Sequence, residues 1–476
     1  MASPIELPIT PGEPVVNIHC DTASLYIFRN DIVERYSGEP SIELTYENCI
    51  FNELNIRNND PHKFKNVSVI FINCFIRDIV VEGVNEPNIN INFLGCIIAG
   101  TIEGRANLSV HFVNCVVGRD GLTLTNIKHC AISYDARAIT AERKWVVSDF
   151  DTFISEQQRI NLIDCRDIDF KGNLSDEVYR KPMEIALILN FMTTELCKAN
   201  ITGCVLDDLT ISGNPQGKIA INMVRVGGIY LRDLIPADAL TLYDVKPKAT
   251  YYRGTRFEIH GCNLDKVWFD NVDFAGFNSV SFFRTKFAKT TFTACNLPEN
   301  YISFEKFKAL ENIHYPEART ENYNKDQYEI FLQLKKSFES TGNYYEAQKI
   351  QSAAHEALRK IETISSWDRA ILSINNVTNG HGLSIKKPFL LFLGNTIVFY
   401  VLYLLSIGRI FNSNEVDLRL IGYYFQFIDL THRNDFLVSS VDQTNWSMCI
   451  DFFNKIIVGF LIYQFIAAFR KYGKSL

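Results

Sequence analysis

The stretch CNLDKVWFDNVDFAGFNSVSFFRTKFAKTTFTACNL, Cys262–Leu297, runs on a five-residue beat. Leu264, Phe269 and Phe274 stand five apart, and so do Phe282, Phe287, Phe292 and Leu297. Two positions before each of these stand Cys262, Val267, Val272, Val280, Thr285, Thr290 and Cys295, all small or β-branched. This pattern suits a chain wound into stacked coils. The large residue fills the axis, the small one fits beneath the next coil, and successive coils bury one continuous column.

Working upstream, the same plan recurs more loosely. YENCIFNELNI, FINCFIRDIVV, FLGCIIAGTI, FVNCVVG, ITGCVLDDLTI and IHGCNLDKVWF each place a small or polar residue before a cysteine, then apolar residues, then a polar break. Cysteines at 49, 74, 96 and 115 set an early period of about 19 to 25 residues, a spacing that signals a solenoid. The units are short, β-branched and alternating, which predicts strands, with GN, EG and NEPN as corners. Phe51/Ile56 and Leu206/Ile211 keep the five-residue step, although Leu54 and Leu209 are bulky for the small site. Segments around Asp135–Gln158 and Asp176–Lys198 interrupt the pattern and are expected to protrude. The cysteines read as stacked core residues, because small buried apolar side chains are what the position needs.

Over Cys262–Leu297 the chain resembles the pentapeptide-repeat family. That resemblance implies a parallel right-handed quadrilateral β-helix with four pentapeptides per coil.

Composition narrows the function classes. The chain has 476 residues, a formal charge of −6, 35 Phe and 21 Tyr, so binding to nucleic acid or to an anionic surface requires a local basic patch. MASPIELPITPGEPVVNIHC has no basic cluster and no apolar run of signal-peptide length, so the bulk of the chain is expected in the cytoplasm. Twelve cysteines with no CxxC pair read as reduced thiols, and no His/Cys group has zinc-site spacing. G-x-S-x-G, H-E-x-x-H and a G-x-G-x-x-G following a strand are missing. The GKS at Gly473 has Ala468 where a P-loop needs its first glycine. Asp207–Asp208 and Asp270/Asp273 are too scattered for the carboxylate cluster of a pectin-cleaving β-helix. The expectation is a non-enzyme without cofactor or metal.

From about Tyr301 to Ile374 the period changes to helical. Tyr328, Phe331, Leu332, Leu334 and Phe338 form one stripe, Gly342 ends it, and Ala347, Ile350, Ala354, Leu358 and Ile361 form a second. This is an αα-hairpin that cannot cover its own stripes, so it must pack on the solenoid end, a membrane segment or a sister subunit.

Phe389 to Ile407 is a nineteen-residue run without a charge, long enough to span hydrocarbon, with Asn395 as its one strongly polar side chain. Asn445–Phe469 is also long enough but carries Asp451, Asn454, Lys455 and Gln464. Lys386–Lys387 precede the first segment, and Arg470–Lys471 with Lys474 follow the second, which predicts both termini on the cytoplasmic side of the inner membrane. VDLRLIGYYFQFIDL, between the spans, is too short and charged to cross but suits the outer interface or a pore mouth. A pair of buried soluble helices is the alternative. The expected class is therefore a β + α membrane protein: a cytoplasmic β-helix over residues 1–300, a helical coupling region over 301–385, and two transmembrane helices over 386–476.

Ionisable groups in a span are costly and usually face a partner, an interior or water. Asn395, Asp451, Asn454, Lys455 and Gln464 are therefore candidate pore-lining residues, with a headgroup-level position as the alternative for Asp451, Asn454 and Lys455. Two spans suffice for a channel only in a closed ring of subunits, a tetramer being favoured among rings of three to five.

LKKSFESTGNYYEAQKIQSAAHEALRK, SWDRAILSINNVTNGHG and GFLIYQFIAAFRKYG, within Lys325–Gly473, resemble the carboxy-terminal module of bacterial two-span proteins with varied cytoplasmic sensors. That group includes channel-forming effectors of anti-phage systems such as Hailong. The resemblance implies a homo-oligomeric channel in membrane lipid, opened by its sensor to depolarise the cell, with a co-encoded defence protein as a further partner. It leaves the ligand open: nucleotide, nucleic acid or protein. Arg253, Arg256, Lys266, Arg284, Lys286 and Lys289 could form a strip for an anionic ligand, or be solvated surface charge. The competing reading is a membrane-anchored interaction platform without conductance.

Overall fold

The computed structural model describes residues 19–20, 23–26, 41–47, 49–57, 66–82, 88–104, 107–134, 157–174, 184–193, 195–249, 254–286, 288–297, 323–408, 419–432 and 444–473. These fall into two compact units, one ending at about Glu311 and one covering most of the chain from Asn300 onward.

In the first unit, every strand pairing among the described residues is parallel, and most strands pair with the next but one. Two interleaved ladders result. One runs through Asn66–Ile72, Asn88–Leu94, Leu108–Val113 and His129–Ser133, with Ile89 opposite both Val67 and Leu108. The other runs through Phe75–Glu82, Ile97–Glu103, Val116–Thr125 and Gln157–Ile163. Strands bury alternate residues, as Asn66–Ile72 does with Val67, Val69 and Phe71 inward.

The residue before many of the cysteines makes a left-handed corner between ladders. Asn73, Gly95, Asn114, Asp164, Gly203 and Gly261 all have left-handed φ between 51° and 67°. Asn, Asp and Gly tolerate this region best. Their amides donate onward, Asn73 N to Leu94 O at 2.9 Å and Gly95 N to Val113 O at 2.7 Å. The cysteines that follow do more than fill space. Cys96 Sγ lies 3.3 Å from Phe71 O, Cys115 Sγ 3.3 Å from Phe93 O and Cys262 Sγ 3.3 Å from Leu231 O. Thr285 and Thr290 donate their hydroxyls in the same way, to Ile259 O at 3.0 Å and Leu264 O at 2.7 Å. Where the small site is Cys or Thr it supplies a donor for a carbonyl earlier in the chain, while Val267, Val272 and Val280 fill the site by apolar packing alone. Behind them Tyr46, Phe71, Phe93 and Phe112 stack at 5.4, 5.2 and 5.0 Å.

One sequence expectation is corrected. The segment Asp176–Lys198 does not wholly protrude: Glu184–Phe191 is a ladder strand between Gln157–Ile163 and Val205–Gly213. It lacks the cysteine corner, but EIALILNF is apolar enough to be buried by its neighbours. Phe287 lies outside the described residues; Phe292 is buried and stacks on Phe269 at 5.2 Å.

The second unit contains six described helices: α1 (Tyr323–Ser340), α2 (Tyr344–Arg359), α3 (Ser366–Asn379), α4 (Lys386–Ser406), α5 (Arg419–Ile428) and α6 (Asn445–Gly473). α1 and α2 form the expected hairpin, turned at Gly342 with φ 78° and capped by Asn343, whose Oδ1 accepts from Glu346 N at 3.2 Å. α3, which the sequence pattern does not separate from the hairpin, starts at a Ser365 cap and ends at left-handed Gly380. α4 and α6 are long and apolar enough to cross a membrane, and they pack on each other. α5 packs on α4 through Tyr400, Tyr403, Leu404 and Phe427, and Tyr400 Oη donates to Leu420 O at 2.7 Å.

Candidate functional site

The inward face of α6 carries Ser447, Asp451, Asn454, Val458, Leu461, Gln464 and Ala468, all buried. Steps of three and four put these on one stripe. Its polar members lie toward the two ends, with Val458 and Leu461 between.

At the amino-terminal end Asp451 is a hub. His432 Nε2 lies 2.9 Å from Asp451 Oδ1, and Lys455 Nζ lies 3.0 Å from Asp451 Oδ2 and donates to His432 O at 3.2 Å. His432 Nδ1 contacts Asp429 O. Thr431 N donates to Asp429 Oδ1 at 2.9 Å, and its hydroxyl does so at 2.7 Å, which shapes the turn that presents His432. These contacts hold the Asp429 carboxyl below its ordinary range. Asn454 is 1% exposed, and among the described residues its Oδ1 has no hydrogen-bond partner. Asn395 on α4 is half-buried with its Nδ2 likewise unpartnered.

At the other end Gln464 lines a cavity of about 390 Å³. Its walls come from Lys335 and Glu339 of α1, Gln348, Gln351 and His355 of α2, Asn375 and Asn379 of α3, and His381 in the following turn. Asn379 Nδ2 donates to Gln464 Oε1, and Gln464 Nε2 donates to Asn375 Oδ1 at 3.1 Å. The NGHG turn is built for this wall: Gly380, His381 and Gly382 all have left-handed φ, 58°, 55° and 87°. Asn379 Oδ1 accepts from Gly382 N at 2.8 Å, and Gln348 Nε2 donates to His381 O at 3.0 Å. A side chain at Gly382 would bring its Cβ within 2.9 Å of Gln348 Nε2, so the position suits glycine.

His381 is 4% exposed and, among the described residues, neither ring nitrogen has a hydrogen-bond partner. Its ring meets that of His355 at 5.1 Å, edge to face. Burial, then the neighbouring His355, lowers the His381 pKa to about 4; burial and Lys335 lower that of His355. The two imidazoles therefore favour their neutral form beside the amides, with Lys335 and Glu339 also on the cavity wall. Among the described residues no three His, Cys, Asp or Glu converge closely enough to hold a metal ion.

A pH dependence follows. In the unfolded chain His381 titrates near 6.5, in the folded unit near 4, so between those values the unfolded state binds more protons. Stability is expected to fall as pH drops from 6.5 to 4, by about 3 kcal/mol in full, with no contribution from this group above that window. Denaturant titrations at pH 7 and 4.5 check this: His381→Gln should flatten the difference, and an unchanged slope would refute the assignment.

Sequence reasoning finds Asp451, Asn454, Lys455 and Gln464 but misses His432, Asn375, Asn379, His355 and His381. The NGHG tetrapeptide, an unusual run of turn formers between two helices, is the available signal. The candidate basic strip is placed differently from the polar row of α6, in the first unit and among carboxylates. Lys286 Nζ lies 2.8 Å from Asp265, whose Oδ1 also accepts from Lys289 N at 3.3 Å. Arg256 lies 3.8 Å from Glu258, Lys266 donates to Ala237 O, Arg284 occupies a left-handed corner, and Arg253 is outside the described residues.

Compared with family models, with curated proteins and with solved structures, the chain gives no match.

Proposed function

We propose that this chain is the subunit of an oligomeric ion channel in the bacterial inner membrane. Its parallel-strand unit, coiled as a right-handed β-helix, is the cytoplasmic sensor; α4 and α6 are the spans, and both termini are cytoplasmic. A tetramer is the favoured ring. A nucleotide, a nucleic acid or a co-encoded defence protein is the trigger, and depolarisation in anti-phage defence is the output. The observation that carries this reading is the inward row of α6, polar at Asp451 and Asn454, apolar at Val458 and Leu461, and polar again at Gln464. A spanning helix that only anchors has little reason to place costly groups at both ends of one stripe. In the assembled ring this row, buried within the single subunit, would turn to the pore axis, where an apolar constriction between polar ends gates by dewetting.

The test is single-channel recording from purified full-length protein in a planar bilayer. Val458→Ser or Leu461→Ser should raise resting current about tenfold, a shift of ~1.4 kcal/mol in the open–closed balance. The interaction-platform reading is favoured by a specific observation too, the pairing of Asp451 with His432 and Lys455 inside one chain. Silence from the wild-type protein and both variants would select it.

A further inference from the structure

α3 is inside out. Trp367, Ile371, Ile374 and Val377 lie on one stripe and are 81, 55, 50 and 67% exposed. The flank of this stripe, beside buried Leu372 and Thr378, gives Asn375 and Asn379 to the hydrogen bonds with Gln464. A helix covered by water arranges these the other way, with apolar residues in and amides out.

We infer that α3 lies in the headgroup layer of the membrane, with the Trp367–Val377 stripe set into the acyl boundary on the same side as Lys386 and Lys387. The inference rests on the reading of α4 and α6 as spans. Three observations select lipid as the occupant. α3 packs against both α4 and α6, and the first turn of α4 likewise exposes apolar side chains, Phe389 and Leu390. Lys387 Nζ, at the first turn of α4, donates to Asn376 O at 3.4 Å, which fixes the end of α3 at the level where the span leaves hydrocarbon. Lys386 and Lys387 supply cations for phosphate groups there, while Trp367 beside Asp368 and Arg369 has the amphipathic character of an interfacial anchor.

The placement gives α3 two tasks. One face holds lipid, and its flank holds Asn375 and Asn379 against Gln464, so the depth of the helix in the interface sets the wall of the cavity. Changes in lipid packing would reach Gln464 through one helix.

The test uses full-length protein in phosphatidylcholine–phosphatidylglycerol vesicles with bromines at the 6,7 or the 11,12 acyl positions. The difference between wild type and Trp367→Phe isolates Trp367 emission; Trp446→Phe isolates a residue at the other end of α6 and reports whether the spans are inserted. The expected result is blue-shifted Trp367 emission, quenched more by 6,7- than by 11,12-bromines. Ile371→Glu with Ile374→Glu should remove most of that quenching and leave that of Trp446 unchanged. Quenching of Trp446 with water-like Trp367 emission would overturn the inference and leave the spans standing. A Trp367 that is blue-shifted but insensitive to bromine would mean a protein cover, a second copy included, and would also overturn it. Loss of both signals would remove the spans themselves.

Discussion

Phe93→Asp is expected to abolish the native strand unit. Phe93 is fully buried, its ring stacked on Phe71 at 5.2 Å and on Phe112 at 5.0 Å, and its strand pairs in register on both sides. Truncating such a ring to alanine alone costs about 3–5 kcal/mol. A carboxylate adds the cost of burying a charge that no cation among its neighbours meets. Together these approach or exceed the 5–15 kcal/mol that holds a typical domain. Because each strand pairs with its neighbours along the ladder, the damage should begin at Asn88–Leu94 and the strands on either side, Asn66–Ile72 and Leu108–Val113, and spread outward. Hydrogen exchange on the full chain reads this directly, since protection should vanish from those three strands first. Phe93→Leu, which keeps an apolar filler, should lose far less. Native-like protection in Phe93→Asp would mean that the aromatic column is not the core.

Much of this architecture is legible in the sequence because the parallel ladders repeat their demands. Many of the cysteines follow a residue in a left-handed corner, as in Asn73–Cys74 and Gly95–Cys96, and such pairs recur along the parallel ladders. The five-residue beat around Phe269 and Phe292 marks the same requirement. Glu184–Phe191 escapes a reading of this kind because it has neither cysteine nor beat; its place is set by the strands on either side of it. The candidate site is half legible. Polar residues in an apolar helix announce themselves, so Asp451 and Gln464 stand out. Their partners do not: His432 lies just after α5, nineteen positions before Asp451, and Asn379 is 85 residues from Gln464. Side chains that meet only after folding leave no local period. α3 hides for another reason, since its apolar stripe looks like any core-facing stripe until exposure reveals which way it points.

The triad at the start of α6 is expected to answer to mutation as a unit. Asp451→Leu leaves Lys455 Nζ without the carboxylate 3.0 Å away and His432 Nε2 without the one 2.9 Å away. Uncompensated charge in a buried site costs about 3–5 kcal/mol, so melting in detergent should fall by roughly 10 °C for a unit of this size. Lys455→Met should cost less, because Asp451 keeps His432. The informative protein is the double variant, Asp451→Leu with Lys455→Met, which removes both span charges and replaces them with apolar volume. Such exchanges are often near neutral, so the double variant should recover most of the stability lost by Asp451→Leu alone, a coupling of about 2 kcal/mol. Losses that simply add would mean that the two side chains do not share a buried site. If α6 lines the proposed ion path, the double variant, though stable, should also change conductance, because the carboxylate of Asp451 and the ammonium of Lys455 at that end of α6 would be gone. A stable double variant with unaltered currents would leave the triad as a structural clamp beside the path and not part of its lining.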